Sequence, residues 1–319
     1  MNLKRRILFL ALAACATVAS AQTWPNRAIR VIMPVNSGSG ADTVMRILGE
    51  HMTGQIGQPV VIDQKPGAGG VAAFQAFKNA ADDHTFLFVI TSTAMAPLTL
   101  KAAAAIDLAR DTQPVARIAE STFILVANPK TGAKNLNDLL RMAKENPGKI
   151  AIATPFIRSL GNLAAELLVQ TGGVKLNIIP FSKPSDAMAA VVSGDVQFAI
   201  DAISATFPMV KANRLQPIAV LGSRKLPGLE SIPSGRDTLA GFQAVGTYGL
   251  VGQKDLSKAN AQLIAKAIGS ALADPSIIEK MHDAGLYARF GTPEQYQETQ
   301  KFEVELWRGV VRTAGIAAE

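Results

Sequence analysis

The stretch from Pro34 to Asp42 holds the first residues whose types and spacing could bind a ligand. It reads Pro-Val-Asn-Ser-Gly-Ser-Gly-Ala-Asp and joins the apolar run from Ile29 to Met33 to a helical pattern that starts near Ala41. Small residues let a ligand approach the backbone, and a helix start offers free N–H groups and the positive end of the helix dipole. The pattern predicts either a cradle for a carboxylate or phosphate, or an ordinary loop in which Ser39 or Asp42 caps the helix. The candidate cradle comprises Asn36, Ser37, Gly38, Ser39, Gly40 and Asp42, with Asp42 as a cap or brace because its charge would repel an anion.

A second junction of the same kind begins at Thr154. It reads Thr-Pro-Phe-Ile-Arg-Ser and leads from an apolar run, 150–154, into a helical pattern that starts near Leu160. Arg158 could hold a carboxylate through paired, charge-assisted hydrogen bonds, with Ser159 and Asn162 as neutral donors. The alternative is a solvated surface arginine. The candidate residues of this second loop are Thr154, Pro155, Phe156, Arg158, Ser159 and Asn162.

Three further residues complete the candidate pocket. Thr91 and Ser92 follow the apolar run 85–90, so their hydroxyls fall at the carboxyl edge of a sheet, where α/β proteins bind ligands. The alternative is that these residues simply end a strand. Asp201 lies near a predicted sheet edge, and we expect it to select an amino or ring-nitrogen group on the ligand.

The sequence gives little support for an enzyme or a metal-binding protein. The Gly38-Ser39-Gly40 run lacks the third glycine of a dinucleotide loop, and the chain has neither a phosphate-binding Gly-x-x-x-x-Gly-Lys-Ser/Thr run nor a Gly-x-Ser-x-Gly run. His51, His84 and His282 lie in different segments, without a His or Cys partner at metal-ligand spacing. We therefore predict no catalytic residue, no metal site and no cofactor, although acid/base carboxylates are not excluded by the sequence alone.

The elements that must position these residues form two successive series. The first reads strand 29–33, helix 43–52, strand 60–62, helix 71–79 and strand 85–90; the second reads strand 123–127, helix 137–144, strand 150–154, helix 160–170 and strand 176–179. Strands 217–221 and 245–251 and helices 257–273 and 293–314 follow. Such alternation is typical of βαβ units with a mostly parallel sheet. It predicts an α/β protein of two lobes, with residues 22–125 and 246–319 in lobe 1, residues 126–245 in lobe 2, and hinge crossings near 125 and 245.

The N-terminus is typical of an exported protein. Lys4, Arg5 and Arg6 precede an apolar run and the small residues Ala19-Ser20-Ala21, which predicts a signal peptide over residues 1–21 and a periplasmic location. The apolar run is too short to span a bilayer, which takes roughly 20 residues. A lipoprotein signal ending at Cys15 is the alternative.

Composition restricts the class of protein further. Cys15 is the only cysteine, so a chain cleaved after Ala21 has no disulfides and depends on its core. The formal net charge of +7 becomes +4 when Lys4, Arg5 and Arg6 are removed, and the remaining basic residues are scattered. Nucleic-acid binding is not indicated.

The order and spacing of several segments resemble a known family, the Bug-type extracytoplasmic receptors of tripartite tricarboxylate transporters. The resemblance covers essentially the whole mature chain. The segments that carry it are Trp24 to Arg30, Pro34 to Asp42, Gly57 to Asp63, Lys65 to Gly70, Leu163 to Leu168 and Gly291 to Tyr296. The resemblance implies a periplasmic-binding-protein fold of the Venus-flytrap, type II-like kind. It also implies that a loop from each lobe holds the ligand's carboxylate through backbone groups, hydroxyls and water.

This sequence departs from the family in both loops. Asn36, Ser37 and Ser39 stand where the family usually has Pro, Pro and Gly. The second loop holds Phe156 to Arg158 where the family is rich in Gly and Ser, and Asn162 replaces a His. Phe181 keeps the aromatic position of a Pro-Tyr-Lys-Gly element and joins the candidate site. Pocket shape and charge should therefore differ from the family's norm, and the ligand is not carried over.

Together these observations predict a solute-binding protein that captures a small mono- or dicarboxylate between its lobes and delivers it to membrane subunits of a transporter. We expect a monomer without catalytic activity. Two alternatives stay open: a receptor that presents its closed form to a sensor kinase, and a periplasmic enzyme on the same scaffold.

Overall fold

This computed structural model describes residues 24–222 and 224–319 of the chain, and these residues form ten strands and twelve α-helices. The predicted signal peptide and Cys15 lie outside the described residues. The strands are β1 (Ile29–Met33), β2 (Val60–Gln64), β3 (Thr85–Ile90), β4 (Thr112–Ala127), β5 (Ala151–Pro155), β6 (Asn177–Phe181), β7 (Phe198–Ala202), β8 (Gln216–Val220), β9 (Val245–Gln253) and β10 (Tyr287–Gly291). The helices are α1 (Gly40–Ile56), α2 (Val71–Ala80), α3 (Thr91–Thr99), α4 (Leu108–Asp111), α5 (Leu136–Glu145), α6 (Leu160–Gly172), α7 (Pro184–Ser193), α8 (Ile203–Lys211), α9 (Gly235–Thr238), α10 (Lys258–Ala271), α11 (Pro275–Asp283) and α12 (Pro293–Thr313).

The strands form two sheets that share β4. The strand order is β2-β1-β3-β9-β4-β7-β5-β6, with β10 and β8 also paired to β4. In the first sheet β1 runs parallel to β2 and β3, and in the second sheet β5 runs parallel to β6 and β7. Strand β9 is antiparallel to β3 and β4. The predicted α/β fold is confirmed, with antiparallel strands at the join between two parallel units.

Strand β4 carries the chain from one sheet to the other. Residues 112–122 pair with β9, and residues 123–127 pair with β7. The sequence predicted only the second part as a strand, because Arg117 and Glu120 interrupt the apolar run. Glu120 is buried, but Arg289 and Arg224 lie 3.5 and 3.8 Å from its carboxylate. Partners that are distant in sequence thus allow charged residues into a buried strand.

The last helix, α12, packs against both sheets. Tyr296, near its start, belongs to a hydrophobic cluster of the first sheet, whereas Trp307 and Val310 belong to a cluster of the second. The helix is therefore a third connection between the lobes. We keep the predicted lobe boundaries as a proposal, with α12 shared. Within the described residues no helix combines the length and the apolar character needed to cross a membrane.

Candidate functional site

The carboxyl ends of β3 and β7 meet at the join between the sheets. Ala202, the last residue of β7, pairs with Phe123 of β4, directly after the residues that pair with β9. Ile90, the last residue of β3, pairs with Tyr248 near the start of β9. Both sheet edges that carry the candidate residues therefore open toward the space between the lobes.

The first loop is braced as the sequence suggests. Ser39 is the N-cap of α1, and its hydroxyl accepts a hydrogen bond from the N–H of Asp42 at 3.2 Å. The Asp42 carboxylate accepts from Gly38 N at 2.9 Å and from Gln64 Nε2 at 2.6 Å, and it pairs with Arg46. Burial alone would raise the pKa of Asp42, but these hydrogen bonds outweigh burial and hold the pKa below its ordinary value. Asp42 is thus a brace of the loop.

With the loop held by Asp42, the first turn of α1 can bind an anion. The N–H groups of Gly40 and Ala41 lie where a helix has no carbonyl of its own to offer them. The positive end of the helix dipole lies at the same place. A carboxylate or phosphate oxygen suits this position.

The second loop repeats this arrangement in the other lobe. Ser159 is the N-cap of α6 and accepts a hydrogen bond from Asn162 N at 3.2 Å. The Asn162 side chain closes the loop, because its Oδ1 accepts from Arg158 N at 2.9 Å and its Nδ2 donates to Thr154 Oγ1 at 3.3 Å. Phe156 N donates to the carbonyl of Phe181 at 2.8 Å, which ties the loop to the end of β6. This network places Phe181 beside the second loop.

The second loop carries backbone strain and an exposed apolar pair. Phe156 and Arg158 have φ values of 41° and 62°, in the left-handed region that is unfavourable for residues other than glycine. The side chains of Phe156 and Ile157 are 50% and 63% exposed. A loop rich in glycine would adopt these angles without strain, so the departure from the family pattern has a structural cost at this loop.

Arg158 is directed toward the C-terminal segment of the chain. Its guanidinium lies 2.8 Å from Glu319 Oε1 and donates to the Ala317 carbonyl at 3.3 Å. The backbone of Glu319 is in turn bonded to Thr99 O and Lys101 N of the first lobe. The structure therefore places Arg158 in a bridge between the lobes, and its contact with the ligand stays a prediction.

The Thr91 hydroxyl also forms hydrogen bonds within the protein. Its hydroxyl donates to Glu303 Oε2 at 3.1 Å and accepts from Thr247 N at 2.6 Å, and Thr247 Oγ1 donates to Glu303 Oε1. All three side chains are buried. Burial raises the pKa of Glu303 to about 7, although the hydrogen bonds from both threonines oppose the shift. Ser92 is exposed at the start of α3.

Glu303 is not among the site residues that the sequence predicts. It precedes Trp307 and Val310 by four and seven positions on α12, so it shares the apolar face of the helix. A single carboxylate within an apolar helical face was the signal that could have identified it.

Asp201 lies beside the second loop. Beyond the pair of Ala153 and Ala199, β5 ends at Pro155 and β7 runs through Asp201 to Ala202, so Pro155 and Asp201 both lie at the carboxyl edge of the sheet. Asp201 Oδ1 accepts from Ala202 N at 2.7 Å, and the residue is 4% exposed. Burial raises the pKa of this carboxyl to about 6.

The lobes touch close to these residues. An added Cβ on Gly285 would lie 2.5 Å from the Cβ of Ser204, at the start of α8. An added Cβ on Gly40 would lie 3.4 Å from Leu286, so the first loop, residues 284–286 and the start of α8 are neighbours. A cavity of about 590 Å³ lies between them, and its walls include Gly38, Thr43, Ser204, Lys211 and Tyr287.

The candidate residues thus fall into two groups, one at the edge of each sheet. Residues 36–42, 91 and 92 lie at the edge of the first sheet, and residues 154–162, 181 and 201 lie at the edge of the second. Each group contains one capped helix start, at Ser39 in the first and at Ser159 in the second.

Comparison with known proteins gives consistent matches over most of the chain. Residues 44–316 match the family described as tripartite tricarboxylate transporter family receptor. Protein BugT of Bordetella pertussis is 29% identical in an alignment of 322 positions that covers 99% of each chain. A TctC solute binding protein from Polaromonas, solved without ligand, superposes with a TM-score of 0.82 at 18% identity, over 91% of this chain and all of that one. MatC from Rhodopseudomonas palustris with bound malate superposes with a TM-score of 0.71 at 25% identity, over 90% of this chain and all of that one. These likenesses confirm the predicted fold.

Proposed function

Because this chain belongs to the receptor family of tripartite tricarboxylate transporters, we propose that it captures a small mono- or dicarboxylate between its two lobes. The observation that carries the proposal is the pair of capped helix starts, one at the interlobe edge of each sheet. MatC, a structural relative at 25% identity, holds malate, which is an acid of this class.

The ligand's carboxylate would bind the free N–H groups at the start of α1 and α6. Both helix dipoles favour an anion, and a water-excluded cleft strengthens the hydrogen bonds. Micromolar affinity corresponds to about 8 kcal/mol, which several charge-assisted hydrogen bonds can supply. A ligand that contacts both lobes at once favours the closed arrangement over the open one. The closed form is then the species that the transporter's membrane subunits would recognise, in the periplasm.

The test uses a chain that begins at Gln22 and a panel of mono-, di- and tricarboxylates, acidic amino acids and aromatic acids. A ligand that binds only the native state raises the free energy of unfolding by about 2.7 kcal/mol at a hundredfold excess over its dissociation constant. We expect a clear rise in Tm with one class of acid. A panel in which no acid raises Tm would contradict the proposal.

Two substitutions at Gly40 test the role of the first loop. Gly40→Pro removes the N–H group but suits the first position of a helix, and Ser39 before it already has the extended backbone (ψ 158°) that proline requires. Gly40→Ala is the matched control, since its Cβ would make ordinary contact with Leu286 at 3.4 Å and the N–H stays. We expect calorimetry to show roughly tenfold weaker binding for the proline variant and little change for the alanine variant. Equal affinities of the proline and alanine variants would mean that the first loop does not bind the ligand.

A further inference from the structure

Asp201 has a buried oxygen atom without a partner. Oδ1 accepts the hydrogen bond from Ala202 N, but Oδ2 has no hydrogen-bond partner within residues 24–222 and 224–319 and is shielded from solvent. No ion pair within those ranges involves this carboxylate. Buried carboxylates in folded proteins are normally hydrogen-bonded or paired, so this oxygen calls for an explanation.

The position of Asp201 indicates what the missing partner is. The residue lies at the same edge of the second sheet as Pro155, where β5 ends, and three positions before Ser204, which meets Gly285 of the first lobe. Thr122 shares its face of the sheet, because Thr122 precedes Ile124, the cross-strand partner of Asp201, by two positions. The hydroxyl of Thr122 is also buried without a partner among the described residues. Two unsatisfied polar groups therefore lie at the edge where the lobes face each other.

The chemistry of these groups narrows the class of ligand. An ionised carboxylate can only accept hydrogen bonds, so its partner must present an N–H or O–H group. A second bare carboxylate in the same position would be repelled. With the pKa of Asp201 raised to about 6 by burial, the group is mainly ionised in neutral solution.

We propose that Asp201 makes this receptor selective for acids that carry an ammonium or hydroxyl group close to the bound carboxylate, that is, amino acids or hydroxy acids. This inference rests on the proposed function, since the ligand's carboxylate must be held at the two helix starts for its neighbouring group to reach Oδ2. Asp201 acts here as a specificity-determining residue.

The experiment compares ligands that differ in one group. Succinate, malate and aspartate share a skeleton and differ at C2, and phenylacetate, mandelate and phenylglycine form the corresponding aromatic series. Each is titrated calorimetrically at about pH 7.5 into the wild type, Asp201→Asn and Asp195→Asn. In the series that binds, we expect the acids with a hydroxyl or ammonium group at C2 to bind the wild type more tightly than the unsubstituted acid, by roughly tenfold or more. Asp201→Asn should reduce that ratio to near one, because the neutral amide is a weaker acceptor of nearly the same shape.

Asp195→Asn is the matched control. Asp195 is exposed just before β7, at the opposite end of the strand from Asp201, so its loss should leave the ratio unchanged. A wild type without preference for the donor-bearing acids would overturn the inference without any variant, and so would a preference that survives in a folded Asp201→Asn. In both cases the proposed function stands. Failure of all six acids to bind would also overturn the inference, whereas the proposed function is then decided by the wider panel of acids.

Discussion

Glu303 illustrates how one buried carboxyl joins parts of the chain that are distant in sequence. It lies on α12 and holds Thr91, the first residue of α3, and Thr247, near the start of the hinge strand β9. Glu120 across the cluster raises the pKa of Glu303 and Arg117 lowers it, both less than burial does. Its protonation state is therefore linked to the stability of the join between the lobes.

Replacing Glu303 with Gln should remove one source of pH dependence. Because the folded state raises the pKa from about 4.5 to about 7, the stabilisation from the bound proton is complete below about pH 4.5. It is lost as the pH rises through about 7, a loss on the order of 3 kcal/mol. Urea unfolding from about pH 4.5 to 8 should show this loss in the wild type and not in Glu303→Gln.

Glu305→Gln is the control for this measurement. Glu305 lies on the same helix, but it is exposed and forms an ion pair with Arg308. It should follow the wild-type dependence on pH. Parallel curves for the wild type and Glu303→Gln would contradict the assignment of the raised pKa.

The sequence predicted single residues well where a local pattern determines their role. Ser39 was recognised as a possible cap because it directly precedes a helical pattern, and the structure confirms the cap. The sequence predicts ligand contacts for Arg158 and Thr91, but it does not indicate Glu319 and Glu303, which accept hydrogen bonds from them at separations of 161 and 212 positions. Contacts over such separations leave no local trace in the sequence.

At the scale of elements, the two helix starts carry the proposed binding, and their caps can be tested as a set. Ser39→Ala and Ser159→Ala each remove a side chain that accepts from the third residue of the helix, which should lower the free energy of unfolding by about 1 kcal/mol. Both should also weaken acid binding several-fold, because the first turn loses the order that aims its N–H groups.

Ser257→Ala supplies the control for the caps. Ser257 caps α10 in the same way, accepting from Asn260 N at 3.1 Å, but α10 is not part of the candidate site. It should lose similar stability while its affinity for acids stays unchanged. Equal weakening in all three variants would mean that stability alone, and not the helix starts, controls binding.

The sequence predicted elements best where apolar periodicity was uninterrupted. Strands β1 and β3 were predicted with their observed bounds, since each is an unbroken apolar run. The sequence does not predict helix α11 or strand β10. For β10 the reason is that it contains the exposed residues Arg289 and Phe290 and has no apolar alternation. Its partner β4 supplies the order that its own residues do not.

At the scale of the whole molecule, the contact between Gly285 and Ser204 sets how closely the lobes approach. Gly285 has a φ of 70°, and a Cβ there would lie 2.5 Å from Ser204 Cβ and 2.8 Å from its Cα. Gly285→Ala should therefore prevent the closed arrangement and weaken acid binding roughly tenfold or more. Calorimetry, together with small-angle scattering of the ligand-saturated protein, measures both effects.

Gly57→Ala separates closure from backbone strain. Gly57 has the same φ of 70° at the end of α1, but no atom of the described residues lies within 4 Å of the added Cβ. It should be destabilised by about 1 kcal/mol for its left-handed backbone and keep its affinity. If both variants bind acids equally well, the Gly285 contact does not limit closure.

Strand β9 lies between β3 and β4 in the first sheet, although it comes from the last quarter of the chain. During synthesis, β3 and β4 emerge early but cannot pair with β9, the strand that lies between them, until residue 253 has left the ribosome. The second sheet, in contrast, is complete once β8 has emerged. We therefore expect the second sheet to assemble first, and a nascent chain halted before Val245 to expose the unpaired edges of β3 and β4, the form most prone to aggregate.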